Sequence, residues 1–514
     1  MTHFRVIRKP EEVAYGRVSD DSETGVRAQA HRMSDWRRKL LSVAALLAMD
    51  AMGFILSVVL AYYTRRGLSL LFPIVTVFDL TFRDLLKYSW IGGIFLSVMA
   101  YERMYSKRCS FWDEPKELIK VFTLSTVILF AVISFGRFGY DISRLTVFLL
   151  WIYGIVILSA FRMVGKRILY NLGVWRENIL IVGAGSAGRE TAQGICRETH
   201  MGYRIMGFLD DDPGKIGGTV EIESREYPVV DRIDNFRKHM HSLDVKKFCI
   251  AIPSLSPEQL ICLTNRIYKH ADTVILVPAL KGIALLNTEL LHLFSEKLYI
   301  LKMRNSLRSP VNRFLKRIFD AVLCIVLFPL VLPMILLIGL LIRIDSSGPV
   351  FFTHMRVGRN GRPFRIIKFR SMYRDAQDRF RELLDTDEHL RKEWEAHYKI
   401  KNDPRITRIG RFLRATSLDE LPQIFNVLKG EMSFVGPRPV LQDELDQYYR
   451  EFTEYYCMVP PGITGLWQIS GRSNTNYDIR VKMDTWYVMN WTLWFDIVIL
   501  FKTVRIVLQK EGAY

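Results

Sequence analysis

The sequence predicts a membrane protein in three parts: an N-terminal four-helix transmembrane bundle, a Rossmann-like α/β middle domain, and a mainly α-helical C-terminal domain carrying a re-entrant membrane helix. Three observations predict it. Four apolar runs fill the first third, a strand–glycine loop–helix pattern opens at 178, and a fifth apolar run is interrupted by two prolines. Composition agrees: 49% of the 514 residues are hydrophobic and the mean hydropathy is +0.10. That is high for a soluble chain and low for a pure bundle.

Residues 1–39 are polar and basic and read as a disordered cytoplasmic arm ending in Arg37-Arg38-Lys39. The apolar runs then fall at 40–63, 89–104, 121–135 and 145–161, giving a transmembrane unit over 40–165. Each is near the length that crosses a hydrocarbon core of ~30 Å, the second and third being short. Arg37, Arg38 and Lys39 precede the first run, Lys107 and Arg108 follow the second, and Lys166 and Arg167 follow the fourth. The positive-inside bias therefore places the N-terminus and everything after 165 in the cytoplasm. Arg65 and Arg66 lie on the wrong side for this rule, and Asp50 within the first run reads as a contact inside the bundle.

Over 178–300, short strands alternate with helices, as in a doubly wound α/β domain. The strand 178–182 runs into Gly183-x-Gly185-x-x-Gly188, and Asp210 follows about twenty residues on. In that context the glycines admit a pyrophosphate to a helix N-terminus and the acid reaches a ribose. No Tyr-x-x-x-Lys pair, expected of a sugar-modifying dehydrogenase, occurs between 178 and 300. The domain is either a nucleotide site, with NAD as its cofactor, or a Rossmann fold kept for packing or dimer contact.

The third unit, 310–514, opens with a run long enough to span, 319–342, with Pro329 and Pro333 near its middle. Each proline removes an amide donor and clashes with the preceding turn. Lys316, Arg317 and Arg343 flank the run on both sides, which favours a helix that breaks and returns to the same face over a kinked fifth span. The aromatic segment Trp486-Tyr-Val-Met-Asn-Trp491-Thr-Leu-Trp494 would rest this unit on the headgroups.

The formal net charge is +18. A basic excess suits nucleic acid, an anionic membrane or a phosphorylated substrate, and the apolar runs favour the last two, so no nucleic acid is expected. The six cysteines form no C-x-x-C pair, which points to reduced thiols and neither a disulfide framework nor zinc. The charged N-terminus has no signal-peptide core.

Chemistry concentrates after the proline-broken run. Asp419 and Glu420 are vicinal carboxylates, able to hold Mg²⁺ or to supply a nucleophile. Attack on a phosphate ester needs cations for its non-bridging oxygens. Lys368, Arg370 and Arg438 are candidates, the last aimed by Gly436-Pro437-Arg438-Pro439. Taken singly, an Asp-Glu pair is more often a solvated helix face, and lysines near a membrane more often meet headgroups.

The strings themselves are more specific. KRIFD at 316–320, SSGPVFF at 346–352, KFRSM at 368–372, SLDELPQ at 417–423, GEMSFVGPRP at 430–439 and PGITGLWQ at 461–468 resemble the monotopic polyprenyl-phosphate phosphoglycosyl transferases. With the four spans and the middle domain, the whole chain resembles the large members of that family. VPALKGIALLNTEL at 277–290 and the ending after Trp486 look most like its undecaprenyl-phosphate galactose phosphotransferases. The family often has a small polar residue before the re-entrant proline, where this chain has Phe328.

The resemblance implies a ping-pong transfer of hexose-1-phosphate from a UDP-sugar to undecaprenyl phosphate, galactose first and glucose second. It implies Asp419 as nucleophile, Glu420 supporting it, and Mg²⁺ held by both. It implies Lys368 and Arg438 as phosphate contacts and Arg472 as a nucleotide contact, with Asp484 at a family acidic position of the same binding set. It implies a multi-pass protein of the bacterial inner membrane, in contact with lipids, its catalytic domain cytoplasmic, and a homodimer. Two other classes compete: a membrane-tethered, NAD-dependent nucleotide-sugar epimerase or dehydratase working in the middle domain, and a non-catalytic assembly protein.

Overall fold

A computed structural model describes residues 35–72, 89–135, 143–278, 286–293, 298–374, 376, 403, 405–470 and 476–509. It divides into two compact units, 1–279 and 280–514.

The first unit begins with helices α1 (Asp35–Leu71), α2 (Ser89–Tyr101), α3 (Asp113–Phe135) and α4 (Arg144–Asn171). Three of them, α1, α3 and α4, are long and apolar enough to cross a membrane; α2 is shorter. The helices outrun the apolar runs that mark them. Arg37–Lys39 already lie in α1, and α3 starts with the charged turns Asp113, Glu114, Lys116 and Glu117. Hydrophobic length marks the buried part of a helix, whereas backbone hydrogen bonds continue into water.

The bundle closes on a buried ionic cluster. The Arg162 guanidinium, on α4, grips Asp50 of α1 through two bonds of 2.9 and 2.7 Å and reaches Glu114 of α3 at 2.8 Å. Lys166 donates to the same Glu114 carboxylate at 2.6 Å, and His200 is bonded to its other oxygen. Asp50 is thus the bundle contact expected of it. Arg65, on the wrong side for the charge rule, is itself buried and donates to Thr146 at 3.4 Å. Cutting a buried pair leaves an uncompensated charge, at a cost of about 3–5 kcal/mol. Asp50→Ala should therefore sharply lower the thermal midpoint of the detergent-purified protein, and Asp50→Asn, which keeps an acceptor, should lower it less.

From Glu177 the chain forms the doubly wound sheet. Strands β1 (Glu177–Val182), β2 (Tyr203–Leu209), β3 (Thr219–Ile222), β4 (Arg225–Asp231), β5 (Lys247–Ile250) and β6 (Thr273–Leu276) lie in the order β3-β4-β2-β1-β5-β6. All pairs are parallel except β3–β4. Helices α5 (Ser186–Arg197), α6 (Phe236–Ser242) and α7 (Pro257–Tyr268) make the crossovers. The β1–α5 turn carries the predicted glycines. A Cβ on Gly188 would lie 1.9 Å from the Gly183 carbonyl, so packing alone demands that glycine, whereas one on Gly185 would meet only open space.

The sequence predicts this domain over 178–300. Its sheet ends at Leu276, and the hairpin of β7 (Thr288–Leu293) and β8 (Leu298–Met303) belongs to the second unit. There Leu286 N–H donates to Asn490, and Asn287 to the Trp491 carbonyl.

The second unit is organised by α8 (Pro310–Asp345), with Pro329 and Pro333 inside it. The expected division into two helices is not seen: the chain runs as one 36-residue helix through both prolines. Each proline deletes one bond, to the carbonyls of Ile325 and Pro329. Four residues apart, they spoil one face only, and packing on the opposite side carries the helix through. Near its start Lys316 donates to the Val435 carbonyl at 2.9 Å and to Asp496 at 2.7 Å, while Asp320 accepts from Ser433 and from Phe434 N–H. Midway, Phe328 meets Phe425 with ring centroids 6.4 Å apart. At its end Asp345 accepts from Ile409 N–H at 3.1 Å. Ile335, Ile338 and Ile342 share one core with Phe364, Phe369 and Leu413, and Leu330, Leu336 and Leu340 on the other side are exposed.

Around α8 pack the antiparallel ribbon β9 (Phe351–Val357) and β10 (Pro363–Phe369), then α9 (Arg408–Thr416), a 3₁₀ turn (Leu418–Gln423) and α10 (Ile424–Lys429). They are followed by the parallel pair β11 (Ser433–Val435) and β12 (Gly462–Thr464), α11 (Leu466–Ile469), α12 (Tyr477–Met489) and α13 (Leu493–Gln509).

Candidate active site

Lys368 stands near the end of β10, on the same face as buried Phe364 and Ile366. The β10 backbone is held by Asn426, which accepts from Ile367 N–H at 3.0 Å and donates to the Arg365 carbonyl at 2.8 Å. Opposite, α9 stops at Ser417, whose positive φ of 57° turns the chain into the tight 3₁₀ coil. That reversal presents Asp419 and Glu420 to Lys368. The ammonium lies 2.6 Å from Glu420 and 4.0 Å from Asp419.

Burial, then the neighbouring Glu420 charge, push the Asp419 carboxyl above the usual carboxylate range, although Lys368 and Arg414 pull it down. The arrangement is a half-buried carboxylate, short of full compensation, beside one lysine. Such a group is a better nucleophile than a solvated aspartate once ionised, because less water must be stripped from it.

Lys368 and Glu420 open onto a cleft of about 110 Å³, which Arg356, Gln423, Arg438 and Arg480 also line. The backbone behind Arg438 is fixed by glycine contacts: a Cβ on Gly462 would sit 2.1 Å from Gly436 N, and one on Gly465 would sit 2.2 Å from Gly436 O. The Gly-Pro-Arg-Pro and Pro-Gly-Ile-Thr-Gly loops thus lie backbone against backbone. The stiffness read from their sequences serves that contact, with Arg438 left 5.9 Å from the Trp467 ring centroid.

The other predicted site residues stand apart. Arg370 turns away and donates to Ser346 and Ser347, tying down the loop after α8. It shares parity with Lys368, but β10 ends at Phe369, so parity no longer fixes its direction. Asp484 is buried behind the cleft. It accepts from the Tyr449 hydroxyl at 2.7 Å and lies 3.9 Å from Arg480. Burial outweighs these partners and pushes its carboxyl up to about 6. Arg472 lies outside the described residues. Arg480, Gln423 and Arg356 were missed by sequence reasoning; only the four-residue spacing of Arg480 and Asp484 on one helix hinted at the first.

In the middle domain Gly183, Gly185 and Asp210 line a larger crevice of about 840 Å³. Asp210 accepts from Ala184 N–H at 2.8 Å, from Asp212 N–H at 2.9 Å and from Lys215 at 3.3 Å. Burial raises its pKa, but these donors outweigh burial and leave it below the ordinary value.

Residues 311–510 match the sequence profile of the bacterial sugar transferase family, and residues 111–278 match a CoA-binding domain profile. The chain is 39% identical to the undecaprenyl-phosphate galactose phosphotransferase of Salmonella typhimurium over 413 residues, 80% of this chain and 84% of that one.

The chain belongs to the bacterial sugar transferase family.

An uncharacterized sugar transferase of Haemophilus influenzae is 35% identical, over 93% of this chain and all of its own length. The UDP-glucose:undecaprenyl-phosphate glucose-1-phosphate transferase of Escherichia coli is 30% identical, over 77% and 82%. These relatives bear out the family and the enzyme class read from the motifs: a membrane-associated phosphoglycosyl transferase of polysaccharide synthesis.

Proposed function

We propose that this sugar transferase moves hexose-1-phosphate from a UDP-sugar to undecaprenyl phosphate in two steps through Asp419. The observation that carries the reading is the half-buried Asp419 carboxylate, 4.0 Å from Lys368, which itself lines a cleft rich in cations. In the first step an Asp419 oxygen attacks the sugar-bearing phosphorus. The bond to the bridging oxygen breaks, and UMP leaves with that electron pair. In the second step an oxygen of the lipid phosphate attacks the same phosphorus, and the Asp419 carboxylate leaves. No proton need move in either step. Lys368 and Arg438 neutralise the non-bridging oxygens.

Asp419 and Glu420 suit Mg²⁺, which is commonly held by one or two carboxylates with substrate phosphates and water completing its shell. No group of three or more acidic, His or Cys side chains is placed to hold a metal ion among the described residues, and such a site needs none. When bound, the ion would supply charge neutralisation on the diphosphate. UMP release should stop on chelation with EDTA and return with Mg²⁺; full activity in EDTA would remove the metal from the account.

Galactose is the favoured sugar, because the galactose phosphotransferase relative is the more similar of the two named, 39% against 30% identity. Purified protein with undecaprenyl phosphate should release UMP fastest from UDP-galactose and more slowly from UDP-glucose. No release from any UDP-sugar would overturn the proposal.

The catalytic unit sits on the cytoplasmic face, with both ends of the continuous helix α8 kept on that face. At ~1.5 Å per residue α8 is about 54 Å long, more than a ~30 Å hydrocarbon core. Yet its start, middle and end all bond or pack to the same domain, through Val435, Phe425 and Ile409. A spanning helix would have to put those partners on opposite sides of the bilayer. The exposed side of α8, with Phe501 and Val504 of α13, offers the apolar surface for lipid. The middle domain's crevice is of a size to hold a nucleotide, with Gly185 giving a phosphate free approach; binding there is separate from catalysis.

A further inference from the structure

We propose that Arg480 and Gln423 form a phosphate subsite in the cleft beside Asp419, an inference that rests on the phosphoglycosyl transfer reading. Arg480 is only 7% exposed, and its Nε and Nη2 atoms have no hydrogen-bond partner. Its guanidinium lies near two rings, 5.0 Å from the Trp467 centroid and 4.8 Å from that of Tyr477. Asp484, one turn along α12, stays 3.9 Å away and gives its hydrogen-bonding capacity to Tyr449 instead. Gln423 is 2% exposed, and its Nε2 is also unpartnered.

Buried donors left unmade are costly and rare, and a charged one most of all. Here two of them converge on one cleft. Its charged lining comprises Arg356, Lys368, Arg438 and Arg480 against Glu420 and Glu444, so it is net positive. The two rings hold the guanidinium without using its N–H groups, and two unpartnered N–H-bearing nitrogens on one guanidinium can match a phosphate in a forked pair. The cleft's 110 Å³ is roughly three to four times the volume of a water molecule, room for one phosphate group. A neutral amide donor at Gln423 adds direction without further charge.

Two phosphates pass this site, that of the donor diphosphate and that of the polyprenyl acceptor. Initial-rate kinetics with both substrates varied, on Arg480→Met, Arg480→Lys and Gln423→Met in the full chain, tell them apart. We expect one KM to rise at least about 10-fold in Arg480→Met, with kcat falling less, and Arg480→Lys to recover part of the loss. A rise confined to UDP-galactose assigns the subsite to the donor, and one confined to undecaprenyl phosphate assigns it to the lipid. Arg480→Met also takes the ion-pair partner from buried Asp484, so its thermal midpoint should fall, whereas Arg480→Lys and Gln423→Met, which keep that charge, should hold theirs. Unchanged KM values in Arg480→Met and Gln423→Met, whatever the midpoint, would overturn the subsite while wild-type turnover still upheld the transferase. Wild-type protein silent with every UDP-sugar would instead remove the reading beneath it.

Discussion

Asp419→Asn should abolish UMP release from the UDP-sugar, with an expected loss of roughly 10³–10⁶-fold, the range found when a covalent nucleophile is removed. The amide keeps the shape of the carboxyl group and cannot attack phosphorus. The same substitution should stabilise the fold at neutral pH. Burial and the adjacent Glu420 raise the Asp419 pKa in the folded state. The native protein therefore holds this proton more tightly than the unfolded chain does. Its contribution to stability is complete below the unfolded aspartate value and is lost as pH rises through the folded one. At neutral pH the ionised carboxylate is a liability, which asparagine removes. A higher thermal midpoint together with lost turnover is the signature of a functional group held at a cost in stability; a lower midpoint would mark Asp419 as a packing residue. In the wild type, UMP release should fall as pH drops through that raised pKa, hence at a higher pH than for a solvated aspartate.

Lys368→Met lowers kcat for UMP release by about 10²–10³-fold, the size of effect seen when one donor to a developing anion is removed. The lysine also holds two like charges together, at 2.6 Å from Glu420 and 4.0 Å from Asp419. Without it only Arg414 offsets the repulsion between the two carboxylates, and the Asp419 pKa climbs further. The acidic limb of the pH–rate profile should therefore move to higher pH in Lys368→Met and move back towards the wild type in Lys368→Arg. A lysine that merely packed would lower the rate without moving the limb.

Much of this was legible in the sequence. The bundle followed from apolar runs, and its ionic cluster from a single acid, Asp50, in an unlikely place. The α/β domain followed from a strand, three glycines and an acid at the right distance, and β1 lies at the middle of the sheet with β2 on one side and β5 on the other. What sequence did not reveal has physical causes. Helix ends run into charged turns that hydropathy cannot mark. Two prolines on one face of α8 bend the odds against a helix, but the buried isoleucines on its other side hold it continuous. Lys368 and Arg370 look equivalent in KFRSM until the strand between them ends. Arg480 and Gln423 carry no pattern of their own; only tertiary structure shows that their donors are buried and unspent.

The central claim is a covalent bond between sugar phosphate and Asp419, and peptide mapping tests it directly. The purified protein would be incubated with radiolabelled UDP-galactose and no lipid acceptor, quenched in acid and digested. One hexose phosphate on the peptide containing Asp419, discharged by adding undecaprenyl phosphate before the quench, is the predicted result. UMP formation that depends on lipid from the first turnover, with no label on that peptide, would contradict it.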